Sequence, residues 1–269
     1  MNQEQRQAIY QQAKDWVLEA GKTIRFKIND PLTISTKSNP NDLVTTMDRD
    51  TEYFFTSNIK QTYPDHAIVS EEGYGDELES LDGTVWIIDP IDGTMNFVHQ
   101  KRNFAISVGV YQDGIGEIGL IYDVMADVLF SAKRGEGAFK NESPLPQLSE
   151  NKSFYESILG LNHFWLCDNR LVDEKVMQSL VKTVRGTRTY GSAALEFAGV
   201  AEGIIDGYMT MDLAPWDIAA GIVIVNETGG KTTNAFGEPI NMLQQNSVMT
   251  CNPVIYEQLI EEYTKKGRK

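Results

Sequence analysis

The segment 86–97 reads WIIDPIDGTMNF. Its apolar run, Trp86-Ile87-Ile88, stops at Asp89. Pro90 and Ile91 follow, then a second carboxylate, Asp92, and at once Gly93 and Thr94. Taken alone, Asp-Pro and Asp-Gly are turn signals. Three other acidic groups stand at expected element ends: Asp48 near the start of a helix, Glu71-Glu72 after a strand, and Asp217 at the start of a helix. Each has an ordinary explanation by itself, since Asp48 and Asp217 suit helix first turns and Glu71-Glu72 suits a solvated loop. Their joint presence points to chemistry. Carboxylates gathered in one place repel each other, and a shared proton or a bound cation offsets that repulsion. Mg²⁺ takes oxygen ligands in octahedral geometry, commonly carboxylates, waters and phosphate oxygens.

The spacing in DPID suits such a site. Asp89 is expected at the mouth of a strand, with Pro90 fixing the chain direction. The Ile91 carbonyl is then expected to turn inward as a further oxygen ligand, and Asp92 to come round to the same side. Gly93 and Thr94 would open a helix whose free amides suit a phosphate. Metal carboxylates beside phosphate amides describe phosphoryl chemistry. One rival fails by counting. Haloacid-dehalogenase-type hydrolases need Asp-x-Asp-Gly-Thr with the first Asp as covalent nucleophile, and the position two before Asp92 is Pro90. Water is therefore the expected attacker.

The elements that must position these residues follow from periodicity and punctuation. A helix is expected over 3–26, loop over 29–45, a second helix over about 46–61, a short strand within 66–73 and a buried strand over 84–90. The stretch 104–132 alternates as an antiparallel meander broken at signals such as Asp113-Gly114. RGEGAF (134–139) reads as a glycine-rich edge turn rather than a phosphate loop, because no helix pattern follows it. After a boundary at 141–151 come strand 154–160, helices 170–183 and 192–202, strand 205–211, helix 216–227, strand 247–251 and helix 253–266. The fold class is α+β, one unit over 1–269 with subdomains of about 1–145, carrying the metal and phosphate site, and 146–269, carrying the substrate side and the last metal ligand.

The 269 residues have a formal charge of −14, which argues against nucleic acid or an anionic membrane as partner. An acidic protein that takes an anionic substrate needs bound cations. Cys167 and Cys251 offer neither a disulfide framework nor zinc spacing. His66, His99 and His163 are scattered without paired spacing. The N-terminal MNQEQRQ lacks the apolar stretch of a signal peptide, and IAAGIVIV (218–225) is too short to span a bilayer. A soluble, cytoplasmic protein is expected. Lys37, in loop 33–43, is read as a solvated lysine that could otherwise reach substrate or a third metal.

WIIDPIDGTMNF followed by FAISVGVY, with PWDIAAG (215–221) downstream, resembles the inositol monophosphatase family. SNPNDLVTTMDRD (38–50), VSEEG (69–73) and RGEGAF are similar to its other blocks, in the same order. The resemblance covers nearly the whole chain. It implies a layered αβαβα fold, a homodimer and lithium-sensitive, Mg²⁺-dependent hydrolysis of a small phosphate monoester, with two or three Mg²⁺ per site. By the same resemblance Glu71, Asp89 and the Ile91 carbonyl hold one Mg²⁺, and Asp89, Asp92 and Asp217 a second. Gly93 and Thr94 bind phosphate through their amides. The attacking water is oriented by Asp48 and Thr94 and activated at the Glu71 metal, and Gly191, Ser192 and Ala193 of GSAA contact the alcohol side of the substrate. In animal members an acid about seven residues before the helix Asp contacts the inositol hydroxyls. Here that position is near Thr210, with Asp212 the closest acid. Inositol monophosphate is the leading substrate, with fructose 1,6-bisphosphate, NADP⁺ or 3′-phosphoadenosine 5′-phosphate as alternatives for the same chemistry. A binding or regulatory protein on this scaffold is the reading from another class, and so many mutually repelling carboxylates argue against it.

Overall fold

The computed structural model describes residues 1–31, 33–36 and 43–269. Lys37 lies outside the described residues. In chain order the first half contains α1 (Gln3–Lys27), β1 (Ile34–Thr36), β2 (Leu43–Thr45), α2 (Thr46–Thr62), β3 (Ala67–Ser70), β4 (Thr84–Asp92), α3 (Thr94–Gln100), β5 (Ala105–Gln112), β6 (Ile115–Asp123), β7 (Val128–Lys133), β8 (Ala138–Lys140) and β9 (Ser143–Pro144). The second half adds β10 (Ile158–Leu161), α4 (Glu174–Thr183), β11 (Gly186–Arg188), α5 (Ala193–Glu202), β12 (Gly207–Leu213), α6 (Pro215–Glu227), β13 (Lys231–Thr233), β14 (Asn246–Cys251) and α7 (Pro253–Gln258).

Two sheets organise these elements. One runs in sequence order from β3 to β9, parallel only between β3 and β4. The other has the order β11-β10-β12-β14-β13. Strand alternation explains how they stack. On β4, Trp86 and Ile88 pack with Trp16, Val17, Ile24, Phe55 and Ile59 of α1 and α2. Val85 and Ile87 face the other way and pack with α5 and α6, whose far side meets Tyr208 and Val248 of the second sheet. The opposite face of that sheet, with Leu159, Met209 and Met249, is covered by α4, α7 and the turn after it. Helices, sheet, helices, sheet, helices: the layered αβαβα architecture of the α+β reading is what the chain forms. A strand buried on both faces must be apolar throughout, which is why β4 begins as an unbroken hydrophobic run.

The central helix layer is thin. Most of α6 is buried, including Ala219, Ala220 and Val223, so it is apolar all round, as a helix between two sheets must be. A Cβ at Gly119 on β6 would lie 2.4 Å from the Ala220 carbonyl oxygen. The glycine is what lets α6 lie on the sheet, and α6 carries Asp217. IAAGIVIV is thus core, and among the described residues no helix is long and apolar enough to cross a membrane.

Several expected elements differ in detail. The stretch expected as loop over 29–45 contains a short antiparallel ribbon of β1 and β2. The strand expected from 154 begins only at Ile158, because 154–156 form a 3₁₀ turn. The helix expected over 170–183 starts at Glu174, where Asp173 caps it. The helix expected over 253–266 passes into a π-helical turn over Leu259–Thr264.

Candidate active site

The C-terminal end of β4 is irregular in one informative way. Asp89 pairs with Ser107 of β5, whereas Asp92 pairs with Ala105. Three steps on β4 therefore match two on β5, which is a β-bulge with one extra residue. In a regular strand, residues three apart face opposite ways. The bulge cancels that: Ile91 joins the apolar face with Trp86 and Ile88, and Asp92 comes round to the side of Asp89. Pro90 has no N–H to leave unpaired at the irregular point. Asp217 arrives from α6, where Pro215 occupies the first turn and the Asp217 carboxylate accepts the Ala214 N–H at 2.7 Å. One oxygen from each of Asp89, Asp92 and Asp217 lies within 4.8 Å of the others.

The electrostatics of this group are severe. Burial pushes the Asp89 carboxyl well above the usual carboxylate range, and the charges of Glu71, Asp92 and Asp217 push it further. Asp217 is likewise raised well above its ordinary value, first by burial and then by Asp92. Asp92 is pushed up to about 6 by burial, against the hydrogen bonds it receives from Ser192, Ala194 and Ala193. Asp89 and Glu71 are close enough for a side-chain hydrogen bond. Buried oxygen donors whose strongest mutual influences are repulsive suit a hard divalent cation, whose charge would replace the missing compensation.

Beside the acids stands a hydroxyl. The Thr94 Oγ1 lies 3.1 Å from Asp48 Oδ1 and 3.0 Å from the Ile91 carbonyl. Asp48 occupies the first turn of α2 and forms a capping box with Thr45, whose N–H reaches its other oxygen at 2.9 Å. Asp48 thus caps α2 through one oxygen and receives the Thr94 hydroxyl at the other. Burial raises its carboxyl. Gly93 caps α3 with φ of 89°, and a Cβ there would lie 3.1 Å from the Gly191 carbonyl oxygen, so only glycine permits both the turn and the contact.

GSAA meets the acid cluster at Asp92. The Ser192 hydroxyl and the Ala193 and Ala194 amides, at the N-terminus of α5, all donate to the Asp92 carboxylate. Ser192 and Ala193 are buried. Gly191 is exposed, with its carbonyl against Gly93. Asp212, the acid nearest the Thr210 position, is exposed and pairs with Arg170 at 2.9 Å.

Two residues escaped the sequence reading. Asn96 donates to the carbonyls of Asn103 and Tyr190, tying α3 to the 190–192 turn. Its only sequence signal was its place in the DPIDGTMNF run. Glu52 is fully buried and accepts from Ser70, Glu72 and Tyr74. Its signal was the four-residue spacing from Asp48 on one helix. RGEGAF is a turn whose Gly135 and Gly137 amides are taken by the Glu227 carboxylate. His66 accepts the Trp86 indole N–H at 3.0 Å in an aromatic stack with Tyr63.

Comparison with known proteins agrees with this geometry. The family model described as the inositol monophosphatase family matches residues 5–268. An inositol-1-monophosphatase of Bacillus subtilis (strain 168) is 56% identical over 251 residues, covering 93% of this chain and 94% of that protein. The solved inositol monophosphatase-II of Staphylococcus aureus MSSA476 superposes with a TM-score of 0.88 at 42% identity, covering 96% of this chain and 94% of that one. A structure described as an IMPase/NADP phosphatase complexed with Mg²⁺ and phosphate superposes with a TM-score of 0.87 at 25% identity, covering 96% and 95%.

Proposed function

The chain belongs to the inositol monophosphatase family and is a phosphoric monoester hydrolase, and from that premise we propose that it hydrolyses inositol monophosphate in an Mg²⁺-dependent reaction with water as nucleophile. The observation that carries this reading is the bulge on β4, which turns Asp89 and Asp92 toward Asp217 while leaving Thr94 against Asp48. In this reading Glu71, Asp89, Asp92, Asp217 and the Ile91 carbonyl are the oxygen ligands for two or three Mg²⁺. Bound Mg²⁺ supplies neutralising charge for the phosphate and lowers the pKa of coordinated water.

The chain's own groups do the rest. The Thr94 hydroxyl donates to Asp48 and so keeps a lone pair free to accept a proton from the attacking water. Burial raises the proton affinity of the Asp48 carboxylate, which suits it to take the Thr94 proton as Thr94 accepts one from water. The Gly93 and Thr94 amides hold the phosphate in line, and Asp217 faces the departing alcohol oxygen together with the exposed Gly191 edge. Lithium inhibition, a homodimer and a cytoplasmic location belong to the same reading.

The alternative substrates are fructose 1,6-bisphosphate, NADP⁺ and 3′-phosphoadenosine 5′-phosphate. Thr210 stands near the position where animal members place a hydroxyl-binding acid, and the closest acid, Asp212, is paired with Arg170, which favours keeping them in view. Phosphate release from a panel of all four, with Mg²⁺ and with chelator, tests the proposal. Inositol monophosphate is expected to give the highest kcat/KM and chelator to abolish it. Release undiminished by chelator overturns the metal reading, and a better alternative substrate overturns the substrate reading alone.

A further inference from the structure

Among the acids of the site, Glu71 stands in a loop rather than in a strand or helix. Asp89, Asp92 and Asp217 each have a carboxylate oxygen fixed by a backbone amide. Glu71 lies in the loop after β3, and that loop is anchored from below by Glu52. The Glu52 Oε1 accepts the Ser70 hydroxyl at 2.7 Å and the Tyr74 N–H at 2.8 Å, and Oε2 accepts the Glu72 N–H at 2.5 Å. Glu71 is therefore bracketed by two residues, Ser70 and Glu72, that are tied to one buried carboxylate. Gly73, with φ of +92°, allows the reversal that brings the Tyr74 amide back to the same group. Beyond it the loop closes on β3, where Ile68 and Asp76 exchange hydrogen bonds.

Glu52 and Asp48 are four residues apart on α2 and so share a face of the helix. Asp48 touches Thr94, and Glu52 shapes the Glu71 loop. One rigid element thereby sets both the hydroxyl and the far carboxylate. We propose that Glu52 is a positioning residue for the cation site, holding the 70–74 loop so that Glu71 presents its carboxylate to Asp89. This inference rests on the Mg²⁺ reading above. A residue that only stabilised the loop would lower the melting temperature and leave cation affinity alone, whereas a positioning residue controls the geometry of a ligand. Removing outer hydrogen-bond partners of metal ligands characteristically costs about 10–100-fold in metal affinity.

Glu52→Gln is the test. Glutamine keeps the size but has one donor end, which must face either the Glu72 amide or the Ser70 and Tyr74 donors, so the triple acceptance cannot survive. Two Mg²⁺ titrations are read, one of phosphate release at saturating substrate and one of the Mg²⁺-induced rise in melting temperature without substrate. The variant is expected to need about tenfold more Mg²⁺ in both, with KM for substrate at saturating Mg²⁺ unchanged. Wild-type half-saturation in both titrations overturns the proposal, whatever the melting temperature in chelator. Ser70→Ala, which deletes one donor and leaves the acceptor, is expected to shift both curves by a smaller factor, and it decides the question if Glu52→Gln does not fold. A wild-type protein insensitive to Mg²⁺ in both titrations overturns the function reading together with this one. A sensitive wild type matched by its variant overturns this one alone.

Discussion

Asp89→Asn is expected to abolish turnover while stabilising the metal-free protein. The Asp89 oxygen lies within 4.8 Å of oxygens on Asp92 and Asp217. At an effective dielectric constant of about 20, one such pair of full charges repels by about 3 kcal/mol. Burial adds its own cost: Asp92 is raised from 3.8 to about 6, chiefly by burial, which at about 1.4 kcal/mol per unit is about 3 kcal/mol that a proton relieves. The sign follows from linkage. A carboxyl whose folded-state pKa is raised stabilises the fold fully below its unfolded value and loses that contribution as pH rises through the folded value. Chelated wild-type protein should therefore be less stable at pH 8 than at pH 5. In Asp89→Asn the amide oxygen can still accept the Ile91 N–H, now 3.0 Å from Oδ1, and its NH₂ replaces a repelling charge with a donor. The gain of about 3 kcal/mol at pH 8 corresponds to a melting temperature higher by about 6–12 °C for a chain of this size. It should shrink toward pH 5, where protons already relieve the wild type. Differential scanning calorimetry in chelator at the two pH values reads this directly, and added Mg²⁺ should reverse the order by stabilising the wild type more. A variant that melts lower than wild type in chelator at pH 8 would refute the reasoning, because the carboxylate would then be a net contributor to the fold rather than part of a repelling set.

Two further outcomes follow from the geometry. Thr94→Val removes the hydroxyl between Asp48 and the Ile91 carbonyl. It should lower kcat by about 10²–10⁴-fold with little change in the Mg²⁺ needed for half-saturation, and a Mg²⁺ titration of phosphate release at saturating substrate separates the two. Gly119→Ala forces a methyl to within 2.4 Å of the Ala220 carbonyl. It should destabilise by about 1–3 kcal/mol and also lower activity, since α6 must move and carries Asp217. Thermal unfolding with a parallel activity assay checks both, and unchanged stability would mean that the helix layer is less tightly fixed than its spacing implies.

The acids were legible in the sequence because their types conflict with their surroundings. Carboxylates ending a buried apolar run, as Asp89 and Asp92 do, are expensive unless they are used, and Asp217 opening an otherwise apolar helix carries the same message. The αβαβα order of the layers came with the resemblance; the residues themselves showed that β4 and the 218–225 stretch of α6 are apolar throughout and must be buried. Pairing geometry was not legible. The bulge that swings Asp92 to the side of Asp89 depends on β5, and nothing local distinguishes it from a turn. β11 and β13, of three residues each, exist only by pairing with neighbours and are too short to show a period. The substrate contact expected of Ser192 came from the resemblance alone, and its hydrogen bond to Asp92 could not be read from sequence because it spans a hundred residues. Glu52 was hidden because an acid on an amphipathic helix reads as solvated, whereas here it is buried beneath a loop.

The anchoring of the acids bears on how such a site can exist at all. Repelling carboxylates on flexible side chains would swing apart, and the repulsion would vanish with the site. Here four of them have an oxygen committed to a backbone amide. Asp48 accepts from Thr45, Asp89 from Ile91, Asp217 from Ala214, and Asp92 from Ala193 and Ala194. These amides belong to a helix start, a bulge and two further helix starts, places where N–H groups lack a partner in the ladder. The same irregularities that end the secondary structure supply the donors that hold the charges in place. Relaxation away from the site would break those hydrogen bonds and leave amides unsatisfied, so the repulsion is retained until a cation or protons relieve it. On the Mg²⁺ reading, cation affinity in this fold is set as much by where the strands and helices stop as by the number of acids, and the loop that carries Glu71 is itself tied down by the buried Glu52.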